Sequence, residues 1–249
     1  MTEISLKAEQ IFHIGSFPIT NSLLASFIAV LVLIIVAIAV RIQLKLVPAS
    51  KIQNLLEMAF EYFIGLMEDL YGSRKLAREV FPWVATFFLF ILFSNWMGLL
   101  PGFGSLGIYK GGEDKTIFVP LLRSANADLN NTLALAIISV ILTQIFGIVA
   151  CGFFKYFSRF FNFKGPIDFF AGILEFFSEL IKMVSFSFRL FGNIFAGEIL
   201  LLVVSFLVPY IAPLPFYGLE IFVGLIQALV FTILTIVFIR LAFSVAEEH

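Results

Sequence analysis

The sequence has 249 residues, of which 61% are hydrophobic and 13% are charged, with a formal net charge of -1. Soluble domains carry about 45–50% apolar and about 25% charged residues, so this composition excludes an ordinary soluble domain. The near-zero net charge gives no sign of nucleic-acid binding, and the one cysteine, Cys151, excludes an internal disulfide.

These numbers predict an all-α integral membrane protein forming a single membrane domain over residues 1–249, with about five to six membrane-embedded helices. Hydropathy places membrane-length stretches at about 22–42, 80–100, 131–153, 168–207 and 217–244. Residues 1–21 precede the first span as an outer N-terminal segment. The region 80–153 is interpreted as a central hairpin of two spans, and 168–244 as a long helix pair.

Residues 51–71 show a different pattern, because their apolar side chains recur at steps of three and four positions. Such a pattern predicts an amphipathic helix that either lies in the membrane interface or packs on a helix of a partner. The apolar positions are Ile52, Leu55, Leu56, Ala59, Phe60, Phe63, Ile64, Met67 and Leu70. The polar side carries Gln53, Asn54, Glu57, Glu61 and Glu68.

The stretch 168–207 is too long for an upright span, since forty helical residues measure about 60 Å, twice the hydrocarbon thickness. It must tilt, bend or protrude, either as one curved helix or as two. Asp168 is predicted to cap its start, after Pro166. The proline-rich run 209–215 is predicted to end it and to turn the chain into the last, antiparallel helix.

Basic residues predict the orientation of the chain in the membrane, because they accumulate in cytoplasmic loops. Nine lie in the connections on one side: Arg41, Lys45, Lys51, Arg74, Lys75, Arg78, Lys155, Arg159 and Lys164. Four lie on the other side: Lys7, Lys110, Lys115 and Arg123. The count favours an outside N-terminus and a cytoplasmic C-terminus.

A polar stripe follows one face of the long stretch. Its members fall within a sector of roughly 80° at about 100° per residue, with Ser178 and Ser185 at the edge. They are Glu175, Glu179, Lys182, Arg189 and Asn193. Charges inside a span cost several kcal/mol each, so this face does not turn to lipid. Glu179 and Lys182 are three residues apart, which also allows a local ion pair.

Arg189 lies deep in the apolar run and cannot lose its proton to escape the cost of burial. It needs a carboxylate or water beside it. One interpretation is an internal pair with Glu198 or Glu220. The other interpretation, which we favour, is a partner on another chain.

Glu198 lies nine residues beyond Arg189, about 13 Å further toward the outer side, and Glu220 begins the last helix at a similar depth. Gln227 shares the face of Glu220. Two acids at one depth form a protonatable access route from outside, and the polar residues on the other side of Arg189 form a second route. Two half-pathways that end near a fixed cation are what a proton-driven machine needs.

The run from Ser187 to Glu198, with Arg189 and Asn193 inside it, resembles the signature of subunit a of F-type (rotary) ATP synthases. Three further features agree with this resemblance and extend it over most of the chain. They are the run Arg123–Asn130, the run Gln227–Phe231, and the C-terminal Ala-Glu-Glu-His249.

The resemblance implies a role for each matching residue. Arg189 would face the carboxylates of a rotating ring of c subunits. Asn193, Glu198, Glu220 and Gln227 would line the outer half-channel, and Glu175 and Ser178, with Glu179 and Lys182, the cytoplasmic one. In many relatives one of the two outer acid positions is a histidine, whereas both are glutamate here, which leaves open which of them carries the proton.

The implied partners are the c-ring, the b subunits of the peripheral stalk, the remaining ATP synthase complex, membrane lipid and translocated protons. The implied location is a bacterial inner membrane, with an energy-transducing organelle membrane as the alternative. No phosphate-binding Gly-rich loop is present, so the chain is not expected to make or split ATP by itself, and no cofactor is predicted. The rival functions are a self-contained proton-coupled transporter or channel, and a structural membrane scaffold.

Overall fold

The computed structural model describes residues 8–44, 51–100, 106–110, 117–158, 160 and 165–247. Within these ranges the protein is almost entirely helical. The helices are α1 (Asn21–Gln43), α2 (Lys51–Tyr71), α3 (Arg74–Met97), α4 (Leu129–Cys151), α5 (Phe153–Ser158), α6 (Pro166–Leu207) and α7 (Pro213–Glu247), with a 3-10 turn at Ala125–Ala127. The all-α membrane fold is therefore confirmed.

Five of these helices are long and apolar enough to cross a membrane, namely α1, α3, α4, α6 and α7. They overlap the five stretches predicted from hydropathy, although α3 begins at Arg74 rather than at about residue 80. Large apolar side chains remain exposed along them, including Phe27, Ile138 and Phe222. A protein of this kind needs lipid as its solvent, and it is a multi-pass integral membrane protein.

Side-chain caps explain where several helices begin. The hydroxyl of Thr20 accepts a hydrogen bond from the backbone N–H of Leu23 at the start of α1. Asp128 accepts one from the N–H of Asn130 at the start of α4 (3.0 Å). Such caps satisfy backbone donors that have no partner inside the helix.

The prediction that Asp168 caps the long helix is wrong. Helix α6 begins at Pro166, with Gly165 as its N-cap residue, and Asp168 lies inside the first turn. Proline is favoured at the first helical position because its fixed φ suits the helix and its missing N–H is not needed there. Asp168 still places a negative charge near the positive end of the helix dipole.

The stretch 168–207 is one continuous helix, since α6 runs unbroken over 42 residues. The proline-rich run ends it as predicted, but two of its prolines, Pro213 and Pro215, already lie in the first turn of α7. Helices tolerate proline in the first turn for the reason given above for Pro166.

Helix α7 is central to the packing. It contacts α3, α4 and α6 extensively, whereas α3 packs mainly on α7 and α4 packs equally on α6 and α7, rather than on each other. Phe231 of α7 packs against Phe87 of α3 and Phe186 of α6, with ring centroids 5.7 and 5.0 Å apart. The two spans of the region 80–153 are therefore held together through α7.

The amphipathic segment forms α2 with the predicted bounds, and it packs on α3. Phe63, Met67 and Tyr71 are buried, and the hydroxyl of Tyr71 donates a hydrogen bond to the carbonyl of Ile236 in α7 (3.2 Å). Burial raises the pKa of Tyr71, so the phenol stays neutral and keeps its proton for this bond.

Two short antiparallel hairpins were not predicted. The first pairs β1 (Gln10–Ile14) with β2 (Phe17–Thr20), and the second pairs β3 (Gly107–Lys110) with β4 (Ile117–Pro120). The side-chain amide of Asn21 donates to the carbonyl of Pro120 (3.3 Å), which joins the two hairpins. Below, "the hairpin end" denotes this end of the molecule, formed by residues 8–20, 106–110 and 117–128.

Buried polar side chains connect α1, α3 and the 3-10 turn at the hairpin end. The hydroxyl of Ser22 donates to Asp128 (2.6 Å), and the amide of Asn126 donates to Asn95 (2.7 Å). Asn131 donates in turn to Asn126 (2.9 Å). These bonds satisfy buried groups that would otherwise destabilise the fold, and they fix the loop that carries Arg123.

Several basic residues that predict the orientation lie outside the described residues. They are Lys7, Lys45, Lys115, Arg159 and Lys164, together with the C-terminal His249.

Candidate functional site

Arg189 lies on the surface of α6, although it is in the middle of an apolar helix. Its neighbour Phe188 is exposed, while Leu190 is buried against α7. A small cavity brings Arg189 together with Gln227 of α7. The internal ion pair with Glu198 or Glu220 is not formed, and the described residues provide no ion pair for this guanidinium.

The two predicted outer acids face one cavity. Glu198 of α6 and Glu220 of α7 both line a space of about 350 Å³ near the hairpin end. Its walls also include Asn95, Gly98, Leu99, Pro120, Leu122, Arg123, Ser124, Ile194, Leu201, Leu202, Ser205 and Tyr217. A cavity of this size with several polar groups in its wall has room for water.

Glu198 forms an ion pair with Arg123. The Nε of Arg123 donates to both carboxylate oxygens of Glu198, at 3.2 and 3.1 Å. Arg123 is only 9% exposed, and its guanidinium lies 5.4 Å from the centre of the Phe195 ring. Charge-assisted bonds of this kind hold the carboxylate in one position.

The sequence did not predict this role of Arg123. There, Arg123 counted only as a basic residue in a loop and as part of the run Arg123–Asn130. One signal was available, because Arg123 directly precedes a span and the outer half of α6 offers a carboxylate. The pairing joins residues 75 positions apart, however, so only the tertiary structure could identify it.

Glu220 is buried, with 7% of its surface exposed, and it lies against Gly197 of α6. A side chain at position 197 would overlap the Glu220 carboxylate, so glycine there leaves the space that this carboxylate occupies. The described residues provide no ion pair for Glu220, in contrast to Glu198.

The other two predicted outer residues lie elsewhere. Gln227 is beside Arg189 rather than in the cavity wall, and Asn193 is half-buried one helical turn beyond Arg189. The four residues therefore divide into a carboxylate pair in the cavity and an amide pair near the arginine. Together they extend from the hairpin end to Arg189.

On the other side of Arg189, the stripe begins with a local ion pair. The ammonium of Lys182 donates to Glu179 (2.8 Å), as the three-residue spacing allowed, and it lies 4.6 Å from the centre of the Phe238 ring. Glu179 is buried, Glu175 is half-buried and Ser178 is exposed. This part of the stripe lies in the half of α6 nearer its N-terminus.

In the described part of the chain, no group of three His, Cys, Asp or Glu side chains comes together. Cys151 is a free thiol at the end of α4.

Comparison with known proteins identifies the family to which the chain belongs. The family model for the ATP synthase A chain matches residues 23–240. A relative named ATP synthase subunit a from Campylobacter jejuni strain 81-176 is 39% identical over 241 residues, which cover 96% of this chain and 91% of the relative. Proteins of the same name from Moorella thermoacetica (35% identical, 92% and 94% covered) and Campylobacter fetus (36% identical, 100% of both) are also similar. The chain belongs to the ATP synthase A chain family, and it is a non-catalytic, membrane-sector subunit of an F-type ATP synthase.

Proposed function

We propose that this subunit is the stator of the membrane motor. In this proposal it provides two offset proton half-pathways, and Arg189 faces the carboxylates of a rotating c-ring. Proton flow through the two half-pathways would then drive rotation of the ring and, through it, ATP synthesis in the other subunits.

The exposure of Arg189 carries the proposal. A permanent cation on the apolar surface of a membrane span costs several kcal/mol or more unless an anion or water accompanies it. The described residues of this chain provide no carboxylate partner, so a carboxylate on an adjacent chain is the partner that the surface requires.

The physical mechanism follows from the same energetics. A ring carboxylate that faces lipid is neutral, because an ion there is expensive. When it reaches Arg189, the ionised form is favoured and its proton leaves by one half-pathway. The fixed cation also repels a proton that would pass directly from one half-pathway to the other, so transport must proceed through rotation.

The cavity with Glu198 and Glu220 supports an outer half-pathway that approaches Arg189 past Asn193 and Gln227. The segment with Glu175, Ser178, Glu179 and Lys182 supports a cytoplasmic one. This assignment follows the proposed orientation, in which the N-terminus is outside a bacterial inner membrane and the C-terminus is cytoplasmic.

The b subunits of the peripheral stalk are the second proposed partner. A stator must be held against the torque of the ring, and α2 offers the surface for this contact. Leu55, Met58 and Tyr62 are exposed on α2 although its opposite side is buried against α3. These side chains suit helix-to-helix packing.

The test is ATP-driven proton pumping in inverted vesicles that carry Arg189→Ala, with ATP hydrolysis and passive proton leak measured alongside. We expect pumping to vanish while the complex remains assembled, and the leak to rise because the barrier between the half-pathways is lost. Arg41→Ala is the matched control, since Arg41 is an exposed arginine at the end of α1. Pumping that survives in Arg189→Ala would refute the proposal.

A self-contained transporter is the rival, and purification separates the two. A stator copurifies with a c-ring and needs it for proton transport. If the chain alone, reconstituted in liposomes, moved protons at the rate of the complex, the rival would replace our proposal.

A further inference from the structure

The N-terminal hairpin is attached to the loop that carries Arg123. Ala8 and Ile11 are buried, and the backbone N–H of Asn21 donates to the carbonyl of Glu9 (3.0 Å). Asn21 is itself fully buried and bonds to Pro120, three residues before Arg123. The segment around Glu9 is therefore held at a fixed position beside the cavity.

The carboxylate of Glu9 interacts electrostatically with the ion pair of Arg123 and Glu198. It interacts favourably with Arg123 and unfavourably with Glu198, although these residues come from three distant parts of the sequence. Its Oε2 is buried, and the described residues provide it with no hydrogen-bond partner. A buried carboxylate oxygen without a donor is costly when ionised, and protonation removes that cost.

Other charged and titratable groups surround this site from each packed element. Arg123 precedes the 3-10 turn, Glu198 lies on α6, and Glu220 and Tyr217 lie on α7 across the cavity. Asp128 at the start of α4 is already bonded to Ser22. Among the described residues, Arg123 is thus the cation that Glu9 and Glu198 share.

We propose that Glu9 is a proton-binding residue at the mouth of the cavity that holds Glu198 and Glu220. The inference rests on the proposed function, because it adds an outermost step to the same half-pathway. Glu9 takes a proton from water at the hairpin end and releases it to water in the cavity, so its carboxylate is regenerated in each passage. Arg123 holds the Glu198 carboxylate by hydrogen bonds and acts on Glu9 through its charge.

The energetics of Glu9 agree with this role. Burial raises the pKa of Glu9, Arg123 lowers it and Glu198 raises it, with a net upward shift. A carboxyl with a raised pKa holds its proton at a higher pH than an exposed one, which suits a group that must collect protons when they are scarce.

The experiment uses the complete ATP synthase in inverted vesicles, with the luminal side corresponding to the hairpin end. ATP synthesis driven by an imposed proton gradient is measured as a function of luminal pH for the wild type and Glu9→Gln. We expect equal rates at acidic luminal pH, where protons are abundant, and a several-fold lower rate for the variant above the pKa of Glu9. The pH profile thus shifts toward acid.

Two further variants make the result specific. Glu9→His replaces the carboxyl by an imidazole, whose ordinary pKa is about 6.5, so the midpoint of the profile should move with it. This variant keeps the test decisive if Glu9→Gln does not assemble. His13→Gln is the matched control, because it removes an exposed ionisable side chain from the same hairpin and should leave the profile unchanged.

Superimposable profiles for the wild type, Glu9→Gln and Glu9→His would overturn the inference. A rate that falls equally at every pH would also overturn it, because it would assign the hairpin a structural role only. Arg189→Ala in the same assay separates the two proposals. If that variant is inactive while the Glu9 profiles superimpose, only the inference about Glu9 fails.

Discussion

The two halves of α6 stabilise their charged side chains in different ways. Toward the hairpin end, Glu198 lines the cavity and pairs with Arg123, which lies 75 positions away in the sequence. Toward the N-terminus of α6, Glu179 is buried and pairs with Lys182 on the same helix, whereas Phe177 and Ile181, on the opposite side of that helix, are exposed.

This difference separates a site that several elements of the chain build from a pair that forms within one helix. The carboxylates at the hairpin end share a cavity lined by α3, α6, α7 and the loop that carries Arg123, whereas Glu179 and Lys182 both lie on α6. Arg189 lies between the two halves and is exposed. In the proposed stator, the cavity would hold water and the exposed Arg189 would face the ring.

Gly197→Ala should reduce proton pumping most among the variants at the hairpin end, because the new methyl group would overlap the Glu220 carboxylate. A displacement of about 1 Å can reduce a rate on the order of 10²-fold, so we expect proton pumping to fall severely. Gly218→Ala is the control, since a methyl group there meets no atom within 4 Å and Gly218 lies on α7, away from the arginine. Equal pumping in the two variants would show that the position of Glu220 is unimportant.

Arg123→Gln should have the next largest effect, since it leaves Glu198 without the guanidinium that holds it. The double variant with Glu198→Gln should lose less than the sum of the two single variants, with a coupling of about 0.5–3 kcal/mol. This double-mutant cycle can be measured both by thermal unfolding of the purified complex and by the rate of proton pumping. Strict additivity would contradict a pair that acts as a unit.

Lys182→Met tests the half of α6 nearer its N-terminus, where the ion pair is local. It removes the bond to the buried Glu179 and the contact with Phe238, and we expect a loss of about 1–3 kcal/mol in stability. Lys182→Arg should retain most of it. A loss as large as that of Arg123→Gln would erase the distinction between the two halves.

Tyr71→Phe should have the smallest effect, because Tyr71 lies outside both of the proposed proton half-pathways. The loss of its hydrogen bond to Ile236 should cost about 0.5–1.5 kcal/mol in thermal unfolding and leave proton pumping unchanged. Tyr62→Phe, at an exposed position on the same helix, should cost nothing measurable. Altered coupling in Tyr71→Phe would show that the contact between α2 and α7 takes part in transport.

The sequence by itself determined the helices and the polar stripe. Hydropathy located the five spans, and the three- and four-residue periodicity defined α2 to the residue, because both depend on neighbours within a few turns of one helix. The spacing of Glu179 and Lys182 likewise allowed their pair. The unusual length of α6 was also readable, although not its continuity.

Only the tertiary structure decided how distant segments meet. It paired Glu198 with Arg123, placed Gln227 beside Arg189, and brought Glu9 within electrostatic range of Arg123 and Glu198. It also revealed the two hairpins, whose strands are too short to give a clear alternating pattern. These contacts depend on how loops and helices pack across the whole chain, which local periodicity does not encode.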